Sequence, residues 1–308
     1  MAKSATKVDL KVTIAGVTFA TPVWTASGTA GTGEEMETWT DVKRLGALVT
    51  KSVSLKPRSG HPYPRTCETA SGMLNCIGLQ NKGIDAFIAE ELPRLAKMPT
   101  RAVVNIVGDS IEELVELAQR LSDVPGPDCL ELNLSCPNVA RGIDQGSDPK
   151  WVGECVAAVR KATRLPLIVK VTPNTNDIVS LARAAEGSGA DAISAINTLV
   201  GMSVNHQSLK PRLSNITGGL SGPAIKPVAL AAVFKIARAV TIPVVGIGGI
   251  STGLDAAEFI IAGASAVQVG TAIFRDPLAP IHAAEELAQY LKGRGLARVA
   301  DLVGTIQV

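Results

Sequence analysis

The stretch PVVGIGGISTGLDAAEFIIAGASAVQVGTA, residues 243–272, indicates the fold of this chain. It opens with an apolar run at 243–247, passes through the glycine-rich turn GIGGIST and a helical segment, and reaches a second apolar run at 266–270. Short apolar runs bounded by glycine are typical of buried strands, and a helix between two of them favours a parallel sheet with crossover helices. We therefore predict a strand, a helix and a second strand here.

Six more β-branched runs precede this unit and alternate with helical patterns. They lie at 22–26, 47–52, 102–107, 129–134, 167–171 and 192–197. Apolar residues recur at three- and four-residue spacing between them, as from Ile111 to Leu121 and from Val228 to Ile236. Eight strands with helical crossovers favour a single-domain (β/α)8 TIM barrel over residues 1–308 rather than an open doubly wound sheet.

Composition narrows the classes of function. Apolar residues make up 46% of the chain and aromatic residues only 3%, so the core must be aliphatic and stacking on nucleic-acid bases is disfavoured. The formal net charge is +2 with scattered basic residues, which leaves no basic footprint for nucleic acid or an anionic membrane. No apolar run approaches about 20 residues and no signal-peptide core is visible, so we expect a cytoplasmic protein with small-molecule or protein partners.

The cysteines argue against metal and disulfide chemistry. They occupy positions 67, 76, 129, 136 and 155, and no two have C-x-x-C spacing. That pattern disfavours a disulfide framework and a zinc or iron–sulfur site held by this chain, so we expect free thiols and no metal. For Cys129 and Cys155 we favour the ordinary interpretation of an inert buried thiol.

Cys136 differs because of its surroundings in ELNLSCPNV, residues 131–139. It follows the end of a predicted strand, precedes Pro137 and lies between the amides of Asn133 and Asn138. Active sites of barrels lie at the carboxyl ends of the strands, so we expect this thiol to face a site rather than the core. A thiolate there could act as nucleophile or as general base, and no histidine nearby in sequence favours a protease-like pair.

The other strand ends are unusually polar. They bring to one face Ser27, Gly28, Thr50, Lys51, Asn105, Asn133, Lys170, Asn197, Thr198, Gly248, Gly249, Gly270 and Thr271. The glycines after the seventh and eighth strands suit a phosphate held by backbone N–H groups and a helix N-terminus, although tight turns alone would also explain them. An unpaired ammonium in an apolar strand is costly, so Lys51 and Lys170 must have partners. Each lysine could form a Schiff base, stabilise a negative charge on a ligand or form a structural ion pair.

Five motifs, in the family's order, resemble class 1 dihydroorotate dehydrogenases over about residues 8–275. They are VTKS, LNCIGLQN, ELNLSCPN, TGGLSGPAIKP and GIGGISTGLDAAEFIIAGASAVQVGTA. In that family an FMN-containing barrel oxidises dihydroorotate to orotate in pyrimidine biosynthesis, with the cysteine of the SCPN turn as base, whereas class 2 enzymes have serine there. The resemblance implies that Cys136 removes the proton from C5 of dihydroorotate while hydride passes from C6 to the flavin N5.

The resemblance also implies which residues hold the ligands. The substrate would be bound by Lys51, Asn75, Gly78, Leu79, Asn133, Asn138, Asn197 and Thr198. One FMN per chain would be bound by Ala26, Ser27, Gly28, Lys51, Ser52, Asn105, Asn133, Lys170, Ile196, Ser221, Gly222, Gly248, Gly249, Gly270 and Thr271, the last four at its phosphate. Lys170 would stabilise the negative charge of the reduced flavin. Loops near 53–83, 137–150 and 198–226 would cover the substrate.

Within class 1, GLQN at 78–81 and GGLSGPAIKP at 218–227 resemble the type B form, which works with an iron–sulfur flavoprotein subunit and passes electrons to NAD. The polar loop VARGIDQGSDPKW at 139–151 departs from that form. The sequence shows no G-x-G-x-x-G fingerprint after a first strand and no cluster-type cysteine spacing. We therefore expect a partner subunit with FAD and a 2Fe–2S cluster, around a homodimer of this chain in a heterotetramer.

Three alternatives to this assignment stay open at the level of sequence. The first is a fumarate-linked, type A-like homodimer of the same family. The second is a phosphate-binding barrel lyase that uses Lys170 as a Schiff base. The third is a ligand-binding barrel without catalytic activity, which would not need a thiol placed among amides.

Overall fold

Eight parallel strands make the central sheet of the computed structural model, which describes residues 8–39, 41–134 and 145–308. In chain order they are β1 (Val23–Thr25), β2 (Ala47–Val49), β3 (Arg101–Ile106), β4 (Cys129–Asn133), β5 (Leu167–Lys170), β6 (Ala192–Ala195), β7 (Val244–Ile247) and β8 (Ala266–Val269). The sheet order is β1-β8-β7-β6-β5-β4-β3-β2, and its two end strands approach each other, since Gly46 N–H donates to Val23 O at 3.0 Å. The predicted single-domain TIM barrel and its eight strands are confirmed.

A helix follows each strand, as the crossover connections of a barrel require. In chain order they are α1 (Glu34–Trp39), α2 (Gly83–Ala86, continued by the π-helical turn Phe87–Glu91 and by Leu92–Leu95), α3 (Ile111–Ser122), α4 (Pro149–Ala162), α5 (Ile178–Gly187), α6 (Lys226–Ala237), α7 (Gly253–Ile261) and α8 (Ala279–Gly293). Polar side chains cap several of them, such as Ser110 before α3 and Asp177 before α5. Short 3-10 helices lie at Val42–Arg44, Gln145–Ser147, Pro223–Ile225, Thr271–Phe274 and Val299–Leu302.

The two helices predicted from apolar spacing differ in how well the sequence indicates their buried face. In α3 the spacing identifies buried residues, among them Leu114, Leu117 and Leu121. In α6 the expected pattern is offset, because Val228 is 46% exposed. The residues buried there are Ala229, Ala232, Val233 and Ile236. Since α6 is apolar on nearly every side, its periodicity is weak and packing on the barrel decides which face is buried.

The two long segments predicted as loops, 53–83 and 198–226, contain strands that pair with each other. Their four antiparallel strands, called the outer sheet below, follow the order Leu199–Met202, Thr217–Ser221, Gly72–Asn75 and Thr66–Thr69. One segment follows β2 and the other follows β6, so the outer sheet joins opposite sides of the barrel mouth. A two-stranded ribbon, Val204–Asn205 with Lys210–Pro211, lies between the two outer-sheet strands of the second segment.

The core is aliphatic, as the composition predicts, with Ala, Val, Ile and Leu filling the buried positions of the barrel strands. A hairpin of Val12–Ile14 and Val17–Phe19 precedes β1, and the ring of Phe19 lies 4.3 Å from that of Trp24. Within the described ranges, no helix is both long and apolar enough to cross a membrane.

Several predicted strands run past the observed ones at their carboxyl ends. Strand β2 ends at Val49 rather than at 52, and β6 ends at Ala195 rather than at 197. Polar side chains join the backbone contacts at these positions: Asn105 N–H donates to Thr50 Oγ1 at 3.1 Å after β2, and Asn197 Oδ1 accepts from Thr198 N–H at 2.8 Å after β6. The early strand ends therefore coincide with the residues expected to form a site.

Candidate functional site

Most of the predicted site residues that the structure describes lie at the carboxyl ends of the barrel strands or in the outer sheet. Their contacts divide the mouth into a side-chain half, built on β2 to β5, and a glycine half, built on β6 to β8 and β1. The halves meet where Asn197 N–H donates to Val171 O at 3.2 Å, and where Lys51 N–H donates to Gly31 O at 2.8 Å.

Buried polar side chains form one network across the side-chain half. Ser52 Oγ donates to Asn105 Oδ1 at 2.5 Å, and Asn105 Nδ2 donates to Glu131 Oε1 at 2.7 Å. Lys170 Nζ lies 3.5 Å from the same Glu131 oxygen, as an ion pair. Gln268 Nε2, which comes from β8, donates to Glu131 Oε2 at 2.7 Å. Glu131 of β4 is thus connected to β3, β5 and β8.

The network is deeply buried, so its charged members must be paired with each other. Glu131 is 0% exposed and Lys170 is 5% exposed, and either charge alone would cost several kcal/mol at such a depth. Asn133 is opposite Lys170 in the register of β4 and β5 and continues the polar row. The sequence analysis missed Glu131 and Gln268. A carboxylate inside the apolar run CLELNL was nevertheless a signal, because a buried charge requires partners.

Close packing explains the glycines that follow β7. The φ angle is 129° at Gly248 and 74° at Gly249. A Cβ on Gly249 would lie 2.7 Å from Lys226 Cβ and 2.9 Å from Gly222 O, and a Cβ on Gly248 would lie 2.6 Å from Ala229 Cβ. Turns pressed against α6 therefore require glycine with or without a phosphate, and the phosphate-binding role stays a prediction.

The rest of the glycine half joins β8, the outer sheet and β1. Thr271 Oγ1 donates to Ser221 Oγ at 2.8 Å. A Cβ on Gly270 would lie 3.2 Å from Ala26 Cβ, whereas a Cβ on Gly28 would have no neighbour within 4 Å. The half-buried Ser27 precedes this open position. The glycine half is therefore tightly packed at β7 and β8 and open at β1.

The N-terminus of α7 is already occupied by its own side chains. The Asp255 carboxylate accepts from the N–H groups of Ser251 and Thr252, each at 2.9 Å, and Lys226 Nζ donates to it at 2.7 Å. Burial alone would raise the pKa of Asp255, but these hydrogen bonds outweigh burial and hold the pKa below its ordinary value. These N–H groups at the start of α7 are therefore already satisfied, and phosphate binding by a helix N-terminus stays a prediction.

Three residues predicted to bind substrate meet around Gly219 of the outer sheet. Asn75 Nδ2 donates to Gly219 O at 3.4 Å, and a Cβ on Gly219 would overlap Thr198 Oγ1. Asn197 Oδ1 accepts from Thr198 N–H at 2.8 Å. Asn174, which the sequence analysis missed, donates to Thr198 O at 3.1 Å and so holds this segment in place.

Three other predicted residues lie away from these contacts. Gly78 and Leu79 have φ angles of 72° and 56°, in a turn where a Cβ on Gly78 would lie 2.6 Å from His61 N. Ile196 is buried, and its N–H donates to Ile247 O at 3.0 Å. These residues shape the backbone of the mouth.

Lys51 borders a cavity of about 350 Å³ at the edge of the mouth. Its ammonium has no ion-pair partner among the residues that the structure describes, so the expected partner is found for Lys170 and not for Lys51. Burial, together with the charge of Arg65, lowers the pKa of Lys51. Ser52 and Glu91 also line the cavity, which therefore extends the mouth towards α2.

The predicted roles of Cys136 and Asn138 fall on residues that lie outside the described ranges. Cys129 and Cys155 are fully buried, and burial raises the pKa of each thiol to about 12, which agrees with inert thiols. In the described part of the chain, no group of His, Cys, Asp and Glu could hold a metal ion.

Comparison with known proteins adds a second line of evidence. A family model described as Dihydroorotate dehydrogenase matches residues 9–291. A protein of Pelobacter propionicus is 55% identical over 302 residues, which cover 98% of this chain and 99% of that protein. A protein of Geobacter sulfurreducens is 52% identical over 303 residues, with coverage of 98% and 99%. Both are named Dihydroorotate dehydrogenase B (NAD(+)), catalytic subunit.

A solved structure is similar as well. The crystal structure of DHODH from Eimeria tenella in complex with ferulenol superposes with a TM-score of 0.81 at 26% identity. The match covers 96% of this chain and 88% of the other.

Proposed function

The chain belongs to the dihydroorotate dehydrogenase family, and on that premise we propose that it oxidises dihydroorotate to orotate in pyrimidine biosynthesis, with FMN as cofactor. The observation that carries the proposal is the buried network of Ser52, Asn105 and Lys170 at the barrel mouth, where barrel enzymes bind their ligands. The relatives' names support the same activity.

The family implies FMN, and the residues present suit such a group. A flat ring with alternating N–H and C=O edges needs both donors and acceptors, which Asn105, Asn133 and Lys170 supply. Ser194 Oγ and Gln268 Oε1 are buried without a hydrogen-bond partner in the described part of the chain, which is typical of polar atoms that await a ligand or water. Bound FMN supplies the acceptor for the hydride that leaves C6 of dihydroorotate.

We assign the proton transfer to Cys136. Its thiolate takes the proton from C5, the C–H electron pair forms the C5=C6 double bond of orotate, and the hydride leaves C6. A free cysteine has a pKa of about 8.5, close enough to neutral pH for a general base. Asn75, Asn197 and Thr198 orient the pyrimidine ring, and the cation of Lys51 favours the substrate carboxylate.

The lyase alternative has less support than the dehydrogenase. A Schiff base requires a lysine whose amine is free to attack a carbonyl, whereas Lys170 Nζ lies 3.5 Å from the buried Glu131 carboxylate as an ion pair. A lyase would also be colourless as purified and would be trapped on its substrate by borohydride.

An anaerobic absorbance experiment tests the proposed activity. The purified protein should be yellow, should release one FMN per chain on denaturation, and should lose its flavin absorbance when dihydroorotate is added. Cys136→Ala should keep FMN and lose at least about a hundredfold in the rate of this bleaching. Cys129→Ala is the matched control, because that thiol is buried in the core. A folded protein that cannot bind FMN, or a Cys136→Ala protein that bleaches at the parent rate, would contradict the assignment.

We propose that the electrons leave through a partner subunit carrying FAD and a 2Fe–2S cluster, that NAD is the final acceptor, and that a homodimer of this chain forms the centre of a heterotetramer. The name "catalytic subunit" of the relatives supports a partner subunit. The isolated chain and a complex with its co-expressed partner should be assayed with NAD and with fumarate. Rapid turnover of the isolated chain with fumarate, without a gain in NAD reduction from any partner, would favour the type A-like alternative. The cytoplasmic location stays a prediction from the sequence.

A further inference from the structure

Glu131 lies in the middle of β4 with none of its surface exposed, and the proposed reaction assigns it no step. Its carboxylate accepts from Asn105 Nδ2 at 2.7 Å and from Gln268 Nε2 at 2.7 Å, and it lies 3.5 Å from Lys170 Nζ. All three partners are N–H donors, so both oxygens of the negatively charged carboxylate face donors. Such a charge is costly in a barrel interior, which calls for an explanation beyond packing.

The contact with Lys170 is the longest of the three. The two amides lie at 2.7 Å and fill one acceptor position on each oxygen, whereas the ammonium lies 3.5 Å from Oε1. An ammonium has three N–H donors, so Lys170 keeps most of its hydrogen-bonding capacity for a group bound at the mouth. Glu131 therefore offsets the charge of Lys170 without using up its donors.

Glu131 also fixes the orientation of Asn105. The Asn105 amide accepts from Ser52 Oγ through Oδ1 and donates to Glu131 through Nδ2, at 2.5 Å and 2.7 Å. Reversing the amide would place its oxygen against the Glu131 carboxylate and lose the hydrogen bond between them, although the Ser52 hydroxyl could accept from the amide instead. One carboxylate thus positions two of the residues that the proposed function gives to FMN.

We propose that Glu131 is a positioning residue that holds Lys170 and Asn105 against the flavin and that its negative charge keeps the bound FMN harder to reduce than Lys170 alone would make it. A cation beside the flavin stabilises the negative charge that reduction adds, and an anion at 3.5 Å from that cation cancels part of the effect. A flavin held in this way gives up its electrons more readily, which suits transfer to NAD. This inference rests on the proposed function.

Glu131→Gln is the decisive variant, because the structure can absorb it. The new amide oxygen can still accept from Asn105 and Lys170, but its NH2 group faces Gln268 Nε2. Gln268 Oε1 has no hydrogen-bond partner among the described residues, so a flip of the Gln268 amide turns that oxygen into the acceptor. The substitution therefore removes the charge while every hydrogen bond of Glu131 can be kept.

The experiment measures the redox equilibrium of bound FMN against an indicator dye of known potential, without dihydroorotate. At the same ratio of reduced to oxidised dye, Glu131→Gln should raise the ratio of reduced to oxidised FMN about tenfold. For a two-electron couple this corresponds to a rise of about 30 mV in the reduction potential of the bound FMN. Glu131→Asp keeps the charge and should stay near the parent ratio. Glu116 is an exposed residue of α3, so Glu116→Gln controls for the effect of removing one negative charge from the protein at a position away from the site.

The outcomes separate this inference from the proposed function. Bleaching of the parent protein by dihydroorotate tests the function, whereas the dye equilibrium tests Glu131. A Glu131→Gln protein that binds FMN and keeps the parent ratio within about twofold overturns the inference, and so does one that loses FMN while its unfolding transition is unchanged. If Glu131→Gln does not fold, Glu131→Asp is the variant that tests the inference. It keeps the negative charge, so a tenfold rise in its ratio of reduced to oxidised FMN would contradict the electrostatic role of Glu131.

Discussion

The two halves of the barrel mouth differ in the groups that they present to a ligand, which are side chains in one half and backbone turns in the other. The side-chain half carries buried, mutually bonded groups, with Glu131 at the centre and Lys170 beside it. The glycine half has backbone turns at its centre after β7, where Gly248 and Gly249 are pressed against α6. Side chains place charge at a chosen point, while glycines let backbone groups come close. Different strands thus supply the charge and the shape of the mouth. Substitutions in the side-chain half should destabilise the protein by leaving a buried charge unpaired, and substitutions in the glycine half by steric contact and backbone strain.

Lys170→Met should cause the largest loss of stability. It leaves the Glu131 carboxylate buried without its cation, which typically costs about 3–5 kcal/mol of unfolding free energy. Urea denaturation of the FMN-free protein measures this loss. Lys235→Met, at an exposed position of α6, is the control and should change stability little. Adding Glu131→Gln to Lys170→Met should restore part of the stability, and a double variant less stable than Lys170→Met would show that the ion pair is not the source of the loss.

Gly249→Ala should cause an intermediate loss of stability, and it tests whether close packing explains the glycines after β7. The added Cβ combines a φ of 74° with contacts of 2.7 Å to Lys226 and 2.9 Å to Gly222 O. Backbone strain of this kind costs about 1–3 kcal/mol, and the contacts add to it. Gly295→Ala has a φ of 73° with no neighbour within 4 Å, so the difference between the two variants isolates the contacts. Equal unfolding free energies in the two variants would mean that close packing does not explain Gly249.

Asp255→Ala should have the smallest effect, and that effect should depend on pH. Asp255 is the N3 residue of the capping box whose N-cap is Thr252, and the loss of such a capping hydrogen bond typically costs about 1 kcal/mol at neutral pH. Hydrogen bonds from Lys226, Ser251 and Thr252 hold the pKa of Asp255 below the ordinary 3.8, against the opposing influence of burial. A lowered carboxyl pKa contributes stability above the unfolded value, and that stability is lost as the pH falls through the folded value.

The measurement for Asp255 compares urea denaturation of the parent and of Asp255→Ala at about pH 7 and about pH 3. The difference in unfolding free energy should shrink at the lower pH. A difference that is constant over this range would show that the cap acts through packing and not through its charge. Glu154→Ala, at a largely exposed carboxylate on α4, provides the comparison for a general charge effect.

The sequence was most informative where a local pattern decides the structure. Apolar runs with glycine turns are sufficient to place the eight strands, and the spacing from Ile111 to Leu121 marks the face of α3. It was least informative about pairs formed across the barrel. Glu131 meets Asn105 from 26 residues away and Gln268 from 137 residues away, so no short motif contains the network. The chemistry of each residue could be predicted, but its partner depends on the closed sheet.

The outer sheet was missed for a related physical reason. Its strands are short and rich in glycine, as in GMLN at 72–75 and TGGLS at 217–221, and such segments have little intrinsic preference for strand. They become strands because each provides the other with backbone partners. The pairing depends on how the barrel brings the two segments together, so neither segment alone predicts it.

The outer sheet also has a consequence for how the protein folds. Asn75 meets Gly219 across 144 residues of chain, a greater separation than between barrel strands that follow one another in sequence, although β1 and β8 pair across a longer stretch, since Val23 is opposite Val267. Short pairings with few buried apolar groups are the first to open, whereas β1 and β8 are buried along their whole length. We therefore expect this sheet to assemble after the barrel and to exchange its amide protons sooner than the core strands. Access to the barrel mouth would then be governed by a late-folding element, independently of the rigid strands beneath it.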